Sequence, residues 1–318
     1  MSEPIKLKGV DTVQQAQPAK IGISYSGGGP LLVVELGVAR AFVQKGIRPD
    51  VICGASAGGL TAAAHALDPD TGRGIDMAAN LLGAQVRNSF LKLDPLDFAQ
   101  RVIREGKHLN SIGDNSPIAK LIGDGIAQTF GLQQVTMGTF GKPLSSGGKA
   151  TPQLMIVATD DSSGESYWYE DDALLTEALI ATSAIPGVFP WVTHQTSGGQ
   201  QVVLVDGGVV DNQPLSNLLS QGCGTIYACA VGASAPRPEP TNLLQNYMQA
   251  INLAMHQCEK LEESYVRAKL PDGGKILHIH PETKTAVVDF DFTPDLVKQV
   301  MDEATNLTIA WLETNPSE

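Results

Sequence analysis

The sequence is short of the features that mark several large classes of protein. It has only four cysteines, Cys53, Cys223, Cys229 and Cys258, scattered with no CxxC spacing, so they read as reduced structural thiols rather than a metal or redox motif. It is short of positive charge: 22 Lys and Arg stand against 34 Asp and Glu, a net charge of −12, with no basic run. That balance argues against a nucleic-acid partner and against adsorption to acidic lipid by charge alone. No apolar stretch reaches the roughly 18 residues that a membrane span needs. The first residues, MSEPIKLKGVDTVQQAQP, lack the apolar core of a signal peptide. A soluble cytoplasmic protein is the expectation. What is present is ordinary for a globular protein: 318 residues, 42% hydrophobic and 18% charged, enough for one large domain or two small ones.

The chain punctuates itself as strand, helix, strand, helix. Residues 1–19 are polar and mixed and read as a loosely held arm. IGISYSG (Ile21 to Gly27) is an apolar strand running into glycines, and Leu31 to Lys45 is a helix apolar almost all round, hence buried. DVICG (Asp50 to Gly54) is a second buried strand, and AGGLTAAAHAL (Ala57 to Leu67) is a helix directly after it. This alternation predicts parallel βαβ units. The middle is helical, with Asp94-Pro95 and Ser116-Pro117 as helix starts. Strands follow at Gln153 to Asp160, Ser166 to Glu170, Gln201 to Gly208, Thr225 to Val231 and Lys275 to His280. Helices are predicted near Asp172 to Thr182, Asn242 to Lys269 and Thr293 to Leu312. The fold expected is α/β, a mainly parallel central sheet flanked by helices. Residues 20–318 would form a single domain, with a helical insertion and candidate lid at about 75–152.

GASAG (Gly54 to Gly58) fits G-x-S-x-G, with a strand before it and an alanine-rich helix after it. A serine on such a turn holds its hydroxyl above the sheet, at the positive end of the new helix. Ser56 is therefore the candidate nucleophile; a merely tight turn would use the same glycines. Its base is less legible. Of the six histidines, His65 sits two turns along the same helix, and His278 and His280 share one strand face without a matching ligand pair. His108 and His256 carry no motif, and His194, in an expected loop, is kept in reserve. A carboxylate fits better: Asp206 ends an apolar strand, immediately before two glycines. Groups at the carboxyl ends of parallel strands converge, and a buried Asp gains basicity. Asp-Gly is also a routine turn, and Asp160, Asp161 and Asp211 compete, so spacing alone does not choose.

Four blocks in order, SGGG (Ser26 to Gly29), GASAGG (Gly54 to Gly59), ATSAIPGVFPWV (Ala181 to Val192) and DGGVVDNQP (Asp206 to Pro214), together resemble the patatin-like phospholipases, a family of lipid acyl hydrolases. LMIVATDDSSGE (Leu154 to Glu165) is a fifth, weaker match, and the blocks lie between Ile21 and Val231. The resemblance implies a Ser–Asp dyad without a catalytic histidine, Ser56 as nucleophile and Asp206 as base. It implies an oxyanion hole built by Gly27, Gly28 and Gly29, no cofactor and no metal. The partners implied are an ester or phospholipid substrate and transient contact with a lipid interface. Phe189, Trp191 and Trp168 are candidates for an acyl pocket, although packing is the commoner role. The chain departs from the family at Pro30, Leu31 and Leu32, where the pattern has a small residue, a basic residue and a glycine. A more apolar mouth favours neutral or small esters. It also motivates the rival reading, a patatin-like fold that binds a lipid or acyl group without turning it over.

Overall fold

The first strand, β1 (Lys20–Tyr25), is buried along its last four residues, the signature of a central strand covered on both faces. The chain then makes one 3-10 turn at Gly29–Leu31, opened by Pro30, and enters α1 (Leu32–Gln44). Ten residues of α1 are buried, Glu35 among them, as the all-round apolar sequence predicts. β2 (Val51–Gly54) and α2 (Ala57–Leu67) complete the expected unit, and β1 pairs parallel with β2. The computed structural model describes residues 20–85, 111, 113, 116–144, 147–231, 239–240, 243–285, 287 and 292–316. The arm 1–19, His108 and the Asp94-Pro95 helix start lie outside them.

Two helices of the expected insertion follow, α3 (Arg73–Gln85) and α4 (Ser116–Phe130). Next come β3 (Gln153–Asp160), β4 (Ser166–Trp168) and α5 (Leu175–Thr182). β5 (Val192–Gln195) and β6 (Gln201–Asp206) form a hairpin. The short α6 (Ser216–Ser220), β7 (Cys223–Cys229), the long α7 (Leu243–Lys269), β8 (Lys275–Ile279) and α8 (Pro294–Thr314) close the described chain. None of these helices is long and apolar enough to cross a membrane.

Eight strands form one sheet in the order β5-β6-β3-β2-β1-β7-β8, with β4 pairing β3. The strands β3, β2, β1, β7 and β8 are parallel, whereas β4, β6 and β5 add an antiparallel edge. Alternate strand residues serve opposite faces. Ile23, Tyr25, Ile52, Tyr227 and Cys229 join the large core with α1, α2, α3 and α8. Val51, Cys53, Ile226 and Ala228 face the other way, onto α6 and Val266 of α7. The result is a three-layer α/β/α arrangement.

The expectation that Asp206 reaches the site along a parallel strand is corrected here: β6 runs antiparallel to β3. The antiparallel strand enters from above the carboxyl edge of the sheet, so its last residue still arrives at that edge. Register fixes the height. Gly54 pairs with Ile156 and Asp206 pairs with Ala158, so Ser56, two beyond Gly54, is level with Asp206. His194, expected in a loop, belongs to β5 and pairs with Val202.

Candidate active site

The strand-to-helix turn forces Ser56 to φ 52°, ψ −124°, and it is the only non-glycine residue with positive φ among those described. Such a conformation costs about 1–3 kcal/mol and persists only where the surroundings hold it. Here three contacts do so. The Ser56 N–H donates to Thr182 Oγ1 at 2.8 Å. The Ser56 carbonyl accepts from the N–H groups of Gly59 and Leu60 at 3.0 and 3.3 Å. Gly58 lets α2 rest on β1, since a Cβ there would lie 2.2 Å from the Tyr25 carbonyl oxygen.

Ser56 Oγ donates to Asp206 Oδ2 at 2.7 Å. The other carboxylate oxygen, Oδ1, accepts the Gly208 N–H at 2.8 Å, and the turn after β6 begins with glycines because a Cβ would lie 2.2 Å from the Val157 carbonyl oxygen at Gly207 and 2.4 Å from Asn212 Oδ1 at Gly208. The Asp206 main chain is fixed on both sides, its N–H donating to the Ala184 carbonyl and its carbonyl accepting from Thr159 Oγ1, each at 2.9 Å. Ser56 is 6% exposed and Asp206 3%. That burial raises the Asp206 carboxyl from 3.8 to about 7, against the opposing pull of its Ser56 and Gly208 hydrogen bonds. A carboxylate with this affinity for a proton is matched to general-base work near neutrality.

The other candidate bases are elsewhere. His65 Nδ1 meets the Tyr25 hydroxyl at 2.9 Å, its ring stacks on Phe42, and burial lowers its pKa to about 3. His194 Nδ1 lies 2.5 Å from Glu177 Oε1, its ring edge-on to Tyr167 and Tyr169. It pairs across the hairpin with Val202, which stands four residues before Asp206, about 13 Å at strand rise. His256 contacts Glu259, and His278 contacts Glu263 and Arg267. Asp160 is held in its own turn by Ser162 and Ser163, which lower its pKa. Asp161 is exposed. Asp211 is buried against Glu262, and that burial and like charge raise its pKa.

The glycine loop passes beside Ser56. Gly29 has φ 54°, a left-handed conformation that turns the loop into α1 at little cost only for glycine. The N–H groups of Gly28 and Gly29 donate to no acceptor among the described residues, and Ala57 offers the free N–H of a first helical turn. The Gly27 N–H, expected alongside them, is instead committed to the Asn212 carbonyl at 2.9 Å, because the loop pairs with the chain after β6. Asn212 returns a side-chain bond, Nδ2 to the Gly27 carbonyl at 3.3 Å, and the same Nδ2 donates to Glu259 of α7 at 2.5 Å. Thr182, Asn212 and Glu259 are thus site residues beyond those read from the sequence. Two of them, Thr182 and Asn212, lie inside the motif blocks, which was the available signal.

A pocket of about 380 Å³ opens on Ser56, with Gly29, Ala57, Leu60, Ile185 and Phe189 in its wall. Phe189, one of the three candidates named from the sequence, lines this pocket although packing was the commoner role for it. Trp191 is 50% exposed and, like Trp168, is absent from that wall. Among the described residues no three His, Cys, Asp or Glu side chains converge as a metal site.

The chain is similar to the lysophospholipase NTE1 of Saccharomyces cerevisiae, 27% identical over 221 residues, covering 68% of this chain and 11% of that protein. It is equally similar to the NTE1 lysophospholipase of Yarrowia lipolytica, 27% over 217 residues, covering 67% and 13%. The chain thus spans about an eighth of the length of these relatives or less. Structural comparison aligns it with VipD from Legionella pneumophila at 16% identity and TM-score 0.45, over 99% of this chain and 72% of that one. The family model described as patatin-like phospholipase matches residues 23–219, more than half of the sequence and all four motif blocks. The chain belongs to the patatin-like phospholipase family.

Proposed function

We propose that the protein is a serine acyl hydrolase that cleaves carboxylic esters of lipids through an acyl-enzyme on Ser56, with Asp206 as the base. The observation that carries this reading is the buried 2.7 Å bond between Ser56 Oγ and Asp206 Oδ2, with the carboxylate's other oxygen already oriented by Gly208. Family membership supports the lipid ester as substrate class.

In the forward half, the Ser56 hydroxyl proton passes to Asp206 as Oγ attacks the ester carbonyl carbon. The carbonyl oxygen becomes an oxyanion held by the Gly28 and Gly29 N–H groups. Collapse of the tetrahedral intermediate breaks the ester C–O bond, and the departing alcohol oxygen takes the proton from Asp206. Water then repeats the sequence, giving its proton to Asp206 and its oxygen to the acyl carbon, and Ser56 leaves reprotonated. Each preorganised donor to such an oxyanion is commonly worth about 3–4 kcal/mol of barrier. Because only ionised Asp206 accepts the proton, kcat/KM rises with pH through about 7.

Turnover of a chromogenic ester and of a lysophospholipid by the wild type, Ser56→Ala, Asp206→Asn and His194→Ala proteins tests the assignment. Activity lost in the first two variants and kept in the third supports it. Loss in His194→Ala with activity retained in Asp206→Asn contradicts the choice of base.

A further inference from the structure

We propose that Glu35 is a positioning residue: through Thr61 it ties the helix that carries the glycine loop to the helix that carries Ser56. This rests on the reading of Ser56 as nucleophile and of the Gly28 and Gly29 N–H groups as its oxyanion donors. Glu35 lies in the first turn of α1 and Thr61 in the second turn of α2, and both are fully buried. Thr61 Oγ1 donates to Glu35 Oε2 at 3.3 Å, and among the described residues no other side-chain hydrogen bond joins the two helices.

Stability does not explain the carboxyl. Its other oxygen, Oε1, has no partner among the described residues, and the core that packs these helices, with Leu32, Leu36, Ala57 and Ala64, is apolar. Burial pushes Glu35 well above the usual carboxylate range. Tyr25 and Cys229, the ionisable groups beside it, are likewise pushed up by burial. All three are neutral near pH 7, so Glu35 acts as a hydrogen-bonding group and not as a charge. A half-satisfied buried carboxyl costs stability that two apolar side chains would recover. A helical threonine commonly bonds a carbonyl of its own preceding turn, and Thr61 bonds Glu35 instead.

Its place in the fold supplies the reason. The glycine loop is anchored at one end by the Gly27 bond to Asn212, and at the other it runs through one turn into α1. The far half of α1 is fixed to α8 by Arg40 on Asp302 at 2.6 Å and by Thr305 Oγ1 on the Gly37 carbonyl at 2.9 Å. The near half has apolar burial, which is non-directional, and the Glu35–Thr61 bond, which fixes one separation and one angle. Glu35 stands six residues after Gly29 and Thr61 five after Ser56, each roughly 8–10 Å from the site at helical rise. A slip of one helix past the other therefore passes directly to the spacing of the Gly29 N–H and Ser56 Oγ. A misplacement of about 1 Å costs on the order of 100-fold in rate.

The test compares the wild type with Glu35→Gln and with the double variant Glu35→Met/Thr61→Val, in kcat and KM for p-nitrophenyl butyrate and in the urea midpoint. Glu35→Gln keeps an acceptor for Thr61 and retains kcat within about twofold. The double variant leaves neither group unpaired, so its midpoint is at or above that of the wild type. Its kcat nevertheless falls by roughly 10- to 100-fold at unchanged KM. Full kcat in the double variant, an equal loss in Glu35→Gln, or a loss matched by a lower midpoint overturns the proposal. A second arm needs no turnover: hydrogen–deuterium exchange by mass spectrometry follows residues 27–36 in the same proteins. Faster exchange in the double variant with no change in Glu35→Gln supports the tie, and unchanged exchange in both overturns it. Faster exchange in the double variant, beside a wild type that hydrolyses no ester, would sink the hydrolase reading and leave the tie standing.

Discussion

Asp206→Asn removes a buried charge while leaving groups that can keep both of its bonds: the amide oxygen for the Gly208 N–H and the amide nitrogen for Ser56 Oγ. The variant should lose turnover and gain stability at alkaline pH. In the unfolded chain the carboxyl releases its proton at 3.8; in the folded protein it holds it to about 7. Between those values the folded state binds more protons, so wild-type stability falls as pH rises, steeply from about 4 to 7 and not beyond. The full shift corresponds to roughly 4 kcal/mol, of which about 2–3 kcal/mol falls between pH 5 and pH 8. Asparagine does not titrate, and the other buried acids, Glu35 and Asp211, are common to both proteins and cancel in the difference. Urea unfolding of the two proteins at pH 5, 6, 7 and 8 therefore gives curves that diverge, Asp206→Asn gaining by about 2–3 kcal/mol across the range. A difference independent of pH would refute the raised carboxyl, and with it the view that activity and stability oppose each other through one group.

Further consequences concern the residues that hold the site. Thr182→Val strips the acceptor from the Ser56 N–H and leaves a buried donor unpaired, lowering stability in urea by about 1–3 kcal/mol. Glu259→Ala frees Asn212 and with it the Gly27 end of the glycine loop. We expect kcat to fall roughly tenfold at unchanged KM, short of the 100- to 1,000-fold loss of an oxyanion donor, with Glu259→Gln restoring it.

Much of this was legible in GASAGG and DGGVVDNQP, because a sharp strand-to-helix turn and a glycine-backed carboxylate each demand particular small residues. The bounds of α2 and β3 match the reading residue for residue. Strand direction was not legible: QVVLVD carries the same burial pattern whether it runs with β3 or against it. β5 is four residues long and follows proline and tryptophan, so its pairing comes from the hairpin rather than from propensity. The bond from Glu259 to Asn212 spans 47 residues, and no local pattern encodes a contact at that separation. Pro30, Leu31 and Leu32, odd as a motif, are ordinary as structure: a prolyl 3-10 turn and the first buried residue of α1.

The most direct measurement is covalent labelling with a fluorophosphonate probe, followed by mass mapping of the modified peptide. The account predicts a single adduct on Ser56, formed faster as pH rises through about 7, retained in His194→Ala and lost in Asp206→Asn. An adduct on another serine, or labelling of Ser56 that survives Asp206→Asn undiminished, would contradict it.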